Sequence, residues 1–308
     1  MPARLPPTEK FPLAVRKNIR DEWDSKKADE EKSLSEILGT EWTIEANPAD
    51  IHPYASSDWG QNSIGSVLYE YFSSAIRRIK DFSDKYDEAG VGEINTLCPA
   101  HVLTLDFDTE KTSGYCRAAV VDGKLTMLFT ENNLGTNIDD ALGLSNLEEA
   151  LNTAPEPEGS KLSYHARRGI REEYEPEIEK ITSEARELLK NDKLTFKPDF
   201  ESLFEKLKAS KEVDRSDWDT TLGSFLKYYF EGFVSTLKWQ KFGEDELLQE
   251  GFNDVVDKNE VAFRVVDKLE RKTYNEVVIE DGVVYIQTVP KYYGTNTSDA
   301  CQDLLDLL

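Results

Sequence analysis

Histidine and cysteine are scarce: each occurs three times in 308 residues. His52, His101 and His165 are the whole supply of side chains whose ordinary pKa lies near neutrality, so general-base chemistry has few candidates. Cys98, Cys116 and Cys301 fall at unrelated positions, which indicates no disulfide framework and fits a reducing compartment. No run of about 18 apolar residues exists, so no membrane-spanning helix is expected. Met1 to Lys10 carries Pro2, Pro6 and Pro7 in place of the apolar core of a signal peptide, and the expected location is cytoplasmic, with the nucleus as the alternative. Also missing are GxxxxGK[ST], a strand-linked GxGxxG, HExxH and GxSxG, which removes the usual nucleotide, zinc-protease and serine-hydrolase readings. No cofactor and no metal is expected, and the chain leans away from an enzyme.

Positive charge is in deficit. Against 60 Asp and Glu stand 37 Lys and Arg, a net charge of -23 at pH 7. The excess is shared, at -12 over residues 1–152 and -11 over 153–308, so it is not the property of an acidic tail. Such a surface repels phosphates, which excludes general binding to nucleic acid or to an anionic membrane surface and favours a basic protein as partner. At 39% hydrophobic and 10% aromatic residues the chain has enough apolar material to fill cores.

What is present in abundance is repetition. Ser57-Asp58-Trp59 followed by Ile64-Gly65-Ser66-Val67-Leu68-Tyr69-Glu70-Tyr71-Phe72 returns as Ser216-Asp217-Trp218 followed by Leu222-Gly223-Ser224-Phe225-Leu226-Lys227-Tyr228-Tyr229-Phe230. Val102, Tyr115, Asp122-Gly123 and Gly135-Thr136-Asn137 are answered 159 positions later by Val261, Tyr274, Asp281-Gly282 and Gly294-Thr295-Asn296. The offset is 158 at the Gly-Ser pair, and 151 where Arg16 to Trp23 meets Arg167 to Tyr174, which places insertions in loops. Units of this length are domains and not solenoid repeats. The expectation is a tandem duplication, with a first α+β unit at 1–152, a linker at 153–161 rich in Pro, Gly and Glu, and a second unit at 162–308. Packing of the two repeats about a pseudo-twofold axis would resemble a tethered homodimer.

Each unit reads as helix, helix, three-stranded antiparallel meander, helix. A charged helical stretch covers Val15 to Leu38 and stops at Gly39. Ser57-Asp58 are candidate caps for the next helix, in which Ile64, Val67, Leu68, Tyr71, Phe72, Ala75, Ile76, Ile79 and Phe82 form one broad apolar face. Leu222, Phe225, Leu226, Tyr229, Phe230, Phe233, Val234 and Leu237 repeat it. Strands are expected at 101–108, 115–121 and 124–130, and at 261–269, 274–280 and 283–289, with Asp122-Gly123 and Asp281-Gly282 as tight hairpin turns. Closing helices are expected at Ile138 to Leu151 and Ser298 to Leu308, with Asn or Thr satisfying their first amides.

Isolated candidates for chemistry carry duller explanations. Cys98-Pro99-Ala100-His101 sets a thiol near an imidazole, but the second unit has Asp257 and Glu260 there, and His101 also opens a strand. Asp106 and Asp108 alternate with apolar residues and share a strand face, suiting cation binding or plain solvation; only Asp108 has a counterpart, Asp267. Duplicated positions are the better filter: Asp58-Trp59 with Asp217-Trp218, Tyr71 with Tyr229, Lys80 with Lys238, Tyr115 with Tyr274, Asn137 with Asn296. Trp59 and Trp218 can clamp the core or anchor a partner. Gly65 and Gly223 imply close approach of another backbone, such as the sister unit. Tyr292-Tyr293, in a loop, are candidates for exposed recognition. The reading is an acidic protein that binds a basic partner as chaperone, inhibitor or scaffold, through Trp59, Trp218, Asp58, Asp217, Tyr292 and Tyr293 at the exposed sheet face or inter-unit groove. The alternative is an enzyme or small-molecule binder with its site in the groove between repeats.

Overall fold

In the computed structural model, which describes residues 3–110, 114–157 and 159–308, the chain divides into two units, Met1–Pro157 and Glu158–Leu308. Both mix α-helices with a four-stranded sheet. Among the described residues, no helix is long and apolar enough to cross a membrane.

The helical stretch expected over Val15 to Leu38 forms in three pieces. Helix α1 (Leu13–Asn18) passes into a π-helical turn at Ile19–Asp24, and α2 (Lys27–Leu38) follows, ending on Gly39 in the left-handed region at φ 67°. A short strand β1 (Thr43–Glu45), helix α3 (Pro48–Ile51) and helix α4 (Asp58–Asn62) lead into the central helix α5 (Ile64–Leu97), which kinks at Asp87, φ 50° and ψ -150°. Ser57 does cap, but it caps α4, its Oγ accepting from the N–H of Gly60 at 3.0 Å. All nine residues of the apolar stripe from Ile64 to Phe82 are buried. At about 1.5–3 kcal/mol for each large side chain removed from water, that stripe contributes strongly to the stability of this unit.

The π-helical turn lies where α1 crosses α5. A Cβ on Gly65 would stand 2.6 Å from the carbonyl oxygen of Asn18 and 2.7 Å from the Cα of Ile19, closer than real contacts allow. The close approach inferred from Gly65 is therefore real, but the backbone it meets belongs to the same unit. Asn18 completes the junction by accepting the N–H of Gly65 at 2.8 Å, which serves an amide that α5 leaves free at its start.

The sheet corrects the expected meander. Strands β2 (Val102–Phe107), β3 (Cys116–Val121) and β4 (Lys124–Phe129) lie in the order β1-β2-β4-β3. β2 pairs with β4 in parallel, Leu103 beside Leu125, and only β3 and β4 are antiparallel, closing at Asp122-Gly123 with φ 50° and 73°. That turn is as expected, since both residues need positive φ. The order follows from apolarity: Leu125 to Phe129 are buried without a break, as a strand covered on both faces requires, while β3 leaves Val121 44% exposed and takes the edge. The closing helix is also shorter than expected. Asn137 sits at φ 51° without capping anything, a 3-10 turn covers Ile138–Asp140, and α6 (Leu144–Asn152) starts beyond Gly143.

The second unit runs α7 (Tyr164–Gly169), a π-helical turn at Ile170–Tyr174, α8 (Glu175–Leu189), β5 (Thr195–Lys197), α9 (Phe200–Ala209), α10 (Leu222–Trp239) and α11 (Glu246–Val255). Strands β6 (Glu260–Val265), β7 (Asn275–Glu280) and β8 (Val283–Thr288) then give the order β5-β6-β8-β7, parallel at β6-β8 and antiparallel at β7-β8. Again the meander is replaced. Gly223 faces the carbonyl of Gly169 and the Cα of Ile170, again within its own unit. No helix spans Ser298 to Leu308: 3-10 turns cover Thr297–Asp299 and Leu304–Leu307, and Asn296 sits at φ 49° uncapping.

Register refines the correspondence of positions. Leu103 lies opposite Leu125 and Val261 opposite Val284, so Leu103, not Val102, occupies the place of Val261. Along the first strand the sequence offset is one residue too long, and a one-residue slip exchanges the faces of a strand. The pairing of Asp108 with Asp267 falls with it.

Candidate functional site

The cap at Ser57 fixes Trp59 in the first turn of α4, and the indole packs against a glycine. A Cβ on Gly135 would stand 2.9 Å from Cζ3 of Trp59, so nothing larger fits beneath the ring. Gly135 in turn is held by α5, its N–H donating to the hydroxyl of Tyr71 at 3.1 Å. The carbonyl of Asn137 accepts from the Sγ of Cys116 at 3.2 Å, which pins the same loop to β3.

These contacts build one wall of a groove of ≈ 590 Å³ lined by Trp59, Glu70, Ser74, Gly135, Asn137, Ile138, Asp139 and Asp140. Trp59 stays 39% exposed beside it. Asp139 is already satisfied: Ser74 Oγ and Arg77 Nη2 each donate to Oδ1 at 2.5 Å, and first the Ser74 bond, then the nearby Arg77 and Arg78 charges, hold its pKa below the usual carboxylate range. Glu70 and Asp140 are exposed and form no ion pair among the described residues. Lys26 acts on Glu70 through its charge without forming an ion pair. An exposed indole beside two carboxylates that no ion pair occupies is chemically a receptor for a cation.

A larger groove, ≈ 720 Å³, lies over the outer face of the first sheet and contains Asp106, Asp108, Arg117 and Lys124. The two aspartates expected to share a face do line this one groove. Each is taken by an arginine: Arg4 donates to both oxygens of Asp106 at 2.7 and 2.5 Å, and Arg117 to both of Asp108 at 2.6 and 3.1 Å. Lys124 pairs with Glu45. Asp122 and Glu149 also line this groove without an ion pair among the described residues, so it is its two central aspartates that are taken.

The second unit treats the same features differently. Against Gly294, whose N–H donates to Tyr229 at 3.1 Å, lies the ring of Phe225 and not that of Trp218. Phe225 stands where α5 has Val67, and its extra volume fills the place that Trp59 takes in the first unit. Trp218 packs instead on Phe204, centroids 5.0 Å apart. Over Phe225 sits the guanidinium of Arg215, 4.7 Å from the ring centroid, gripped by Asp217 at 3.0 and 2.9 Å.

The remaining expected residues do not converge. Asp58 is exposed on α4, its carbonyl accepting from Asn62 at 2.9 Å. Tyr293 is buried, 1% exposed, donating to the carbonyl of Leu222 at 3.3 Å, so the expected exposed loop pair is a core residue and a half-buried Tyr292 set edge-on to Tyr274. Lys80 pairs with Asp84 but Lys238 with Glu184. Cys98 is fully buried, which pushes its thiol up to about 12, and the ring of His101 packs on Trp42, 5.5 Å between centroids. That thiol is no thiolate nucleophile at neutral pH. Among the described residues, no three His, Cys, Asp or Glu are placed to hold a metal ion.

Arg215, Phe225, Glu70 and Asp140 were not singled out from the sequence. Two signals point to them: Val67 against Phe225 breaks an otherwise matched helix face, and Arg215 precedes Ser216-Asp217-Trp218 where Ser56 precedes Ser57-Asp58-Trp59. The chain matches no family model, no curated protein and no solved structure.

Proposed function

We propose that this is a binding protein for a basic partner, and that the Trp59 groove of the first unit is where a cationic segment docks. The observation that carries this is the exposed indole beside Glu70 and Asp140, two carboxylates that form no ion pair among the described residues, with the Lys26 charge acting on Glu70 alone. The sheet groove is larger, but Asp106 and Asp108 are each held by an arginine there and Phe107 in its lining is buried, so it offers no exposed aromatic ring with free carboxylates beside it. A net charge of -23 spread over both halves steers a basic partner toward the molecule, and the groove supplies the contact that charge alone lacks. Chaperone, inhibitor and scaffold are all roles that such a surface serves.

The two units are read as diverged copies of one ancestor. Supporting this are the shared strand order, the π-helical turn at each helix crossing, the Tyr–Gly bond before each αL asparagine and the Asp-Gly hairpins. Divergence then separates the roles, with one copy keeping an open aromatic face and the other closing its own.

The test is calorimetric titration of the full chain with a Lys- and Arg-rich peptide at low and high salt. Binding is expected at low salt and is expected to weaken as the Debye length shortens toward about 3 Å near 1 M. Glu70→Gln with Asp140→Asn should weaken it at low salt while leaving the fold intact, since both positions are exposed. Unchanged affinity in that double variant would remove the groove from the account.

A further inference from the structure

The second unit already contains, within itself, the kind of contact the first unit leaves open. Phe225 lies on Gly294, a Cβ there coming within 2.4 Å of Cε2, just as Trp59 lies on Gly135. Across Phe225 the guanidinium of Arg215 stacks 4.7 Å from the centroid, and its Nε and Nη2 fork onto the two oxygens of Asp217. That bond chiefly raises the Arg215 pKa and holds the Asp217 carboxyl low, as for a committed ion pair. Ring, carboxylate and guanidinium form one closed set.

In the first unit a ring and carboxylates line the groove, and among the described residues no cation is stacked on that ring. The residue preceding Ser57-Asp58-Trp59 is Ser56, whose short hydroxyl donates to the carbonyl of Asn132 at 3.2 Å and cannot reach over the indole as a charge. Neighbouring cations are held off the indole: Arg77 by Asp139 at the groove's edge, Arg78 by Asp81, and Lys26 by Glu22 over the ring of Tyr69, where its charge also acts on Glu70. Among the described residues, no cation stands over Trp59.

We infer that the Trp59 groove takes an arginine side chain of the partner, its guanidinium stacked on the indole and hydrogen-bonded to Glu70 or Asp140, in the manner that Arg215 occupies Phe225 and Asp217. This rests on the reading of the groove as the docking site for a basic partner and narrows that partner's chemistry. Arginine is favoured over lysine on physical grounds. A planar, weakly hydrated guanidinium lies flat on an indole while its edge donates a fork of N–H groups to a carboxylate. A lysine ammonium is a strongly hydrated point charge that meets a ring face without stacking. A ≈ 590 Å³ groove is roomy enough for the whole side chain and the backbone that carries it.

The experiment uses one Gly- and Ser-flanked peptide in three versions, with its basic positions all Arg, all Lys or all citrulline, titrated calorimetrically into the full chain. The Arg peptide is expected to bind about tenfold more tightly than the Lys peptide of equal charge, and the citrulline peptide to show no binding. Trp59→Leu should weaken the Arg peptide by about tenfold and bring Arg and Lys level, because the stacking face is what separates them. Ser56→Arg, which copies Arg215, should weaken the Arg peptide by a similar factor by supplying an internal occupant. An amide NMR spectrum shows whether each variant keeps its fold, and the exposed Glu70→Gln, Asp140→Asn pair provides a second route to the same loss. Equal affinity for Arg and Lys, with both weakened by loss of Glu70 and Asp140, would overturn the guanidinium inference and leave the basic-partner reading standing. Absence of binding by either charged peptide would overturn both.

Discussion

The hydroxyl of Tyr71 accepts the backbone N–H of Gly135 at 3.1 Å, and that one bond ties the middle of the central helix to the loop on which Trp59 rests. Tyr229 and Gly294 repeat it at the same distance. Burial pushes both phenols upward in pKa, Tyr229 to about 12, so each hydroxyl stays protonated at neutral pH. Tyr71→Phe removes the acceptor and leaves a loop amide unpaired, at a cost of about 1–3 kcal/mol. Hydrogen exchange at the Gly135 amide reads this locally: it should accelerate markedly in Tyr71→Phe and remain slow in Tyr229→Phe. Equal exchange in wild type and Tyr71→Phe would mean that the loop is held by something else.

Glycine substitutions separate crowding from propensity. Gly65→Ala drives a Cβ against the backbone at Asn18 and Ile19, and about 1–3 kcal/mol of destabilisation is expected from such overpacking. Gly92→Ala, in the same helix but with nothing within 4 Å, should stabilise by about 0.5–1 kcal/mol. Urea unfolding followed through amide signals of the first unit compares them, and opposite signs are required.

Glu276 makes the second unit acid-sensitive. It is 3% exposed, so burial alone would push its pKa up; the N–H of Arg271 at 3.0 Å, the amide of Gln287 at 2.5 Å and the N–H of Glu270 at 3.3 Å outweigh that and hold it below the ordinary 4.5. A carboxyl with a depressed folded pKa contributes stability above its unfolded pKa and loses it as pH falls through the folded value. Glu276→Gln puts an amide where backbone donors need an acceptor, and should cost about 1–3 kcal/mol at pH 7. Denaturant unfolding from pH 7 to pH 3 should show the gap between wild type and variant narrowing only below about 4.5. A gap independent of pH would show that the charge contributes nothing.

Thiol labelling checks the burial of the cysteines. Cys98 is fully buried, and desolvation raises its thiol to about 12 and that of the half-buried Cys116 to about 11. Native protein at pH 8 should react slowly with a thiol reagent, and unfolded protein should react at all three positions. Rapid modification of Cys98 in the native state would restore it as a nucleophile.

The α5 stripe, the Asp-Gly hairpins and the helix stop at Gly39 were legible because each rests on local periodicity or on a backbone conformation that few residues tolerate. Strand order was not, since three apolar runs in sequence fit a meander and a β1-β2-β4-β3 sheet equally well. The difference lies in which strand is buried on both faces, as the unbroken Leu125 to Phe129 run is. Trp59 and Trp218 look equivalent in sequence, yet their surroundings diverge because one position of the helix beneath them is Val67 in one unit and Phe225 in the other. Glu70 and Asp140 form no ion pair whereas Asp106 and Asp108 do, because Arg4 arrives from 102 residues away and Arg117 from β3, and no spacing rule anticipates that.

The most direct test follows the Trp59 indole N–H by NMR, assigned from its disappearance in Trp59→Leu, during addition of a basic peptide at low salt. The account predicts a saturable shift of that resonance, smaller or absent shifts at the other four tryptophans, and reversal on adding salt. Peptide binding that leaves the Trp59 resonance in place, or that moves all five alike, would contradict it.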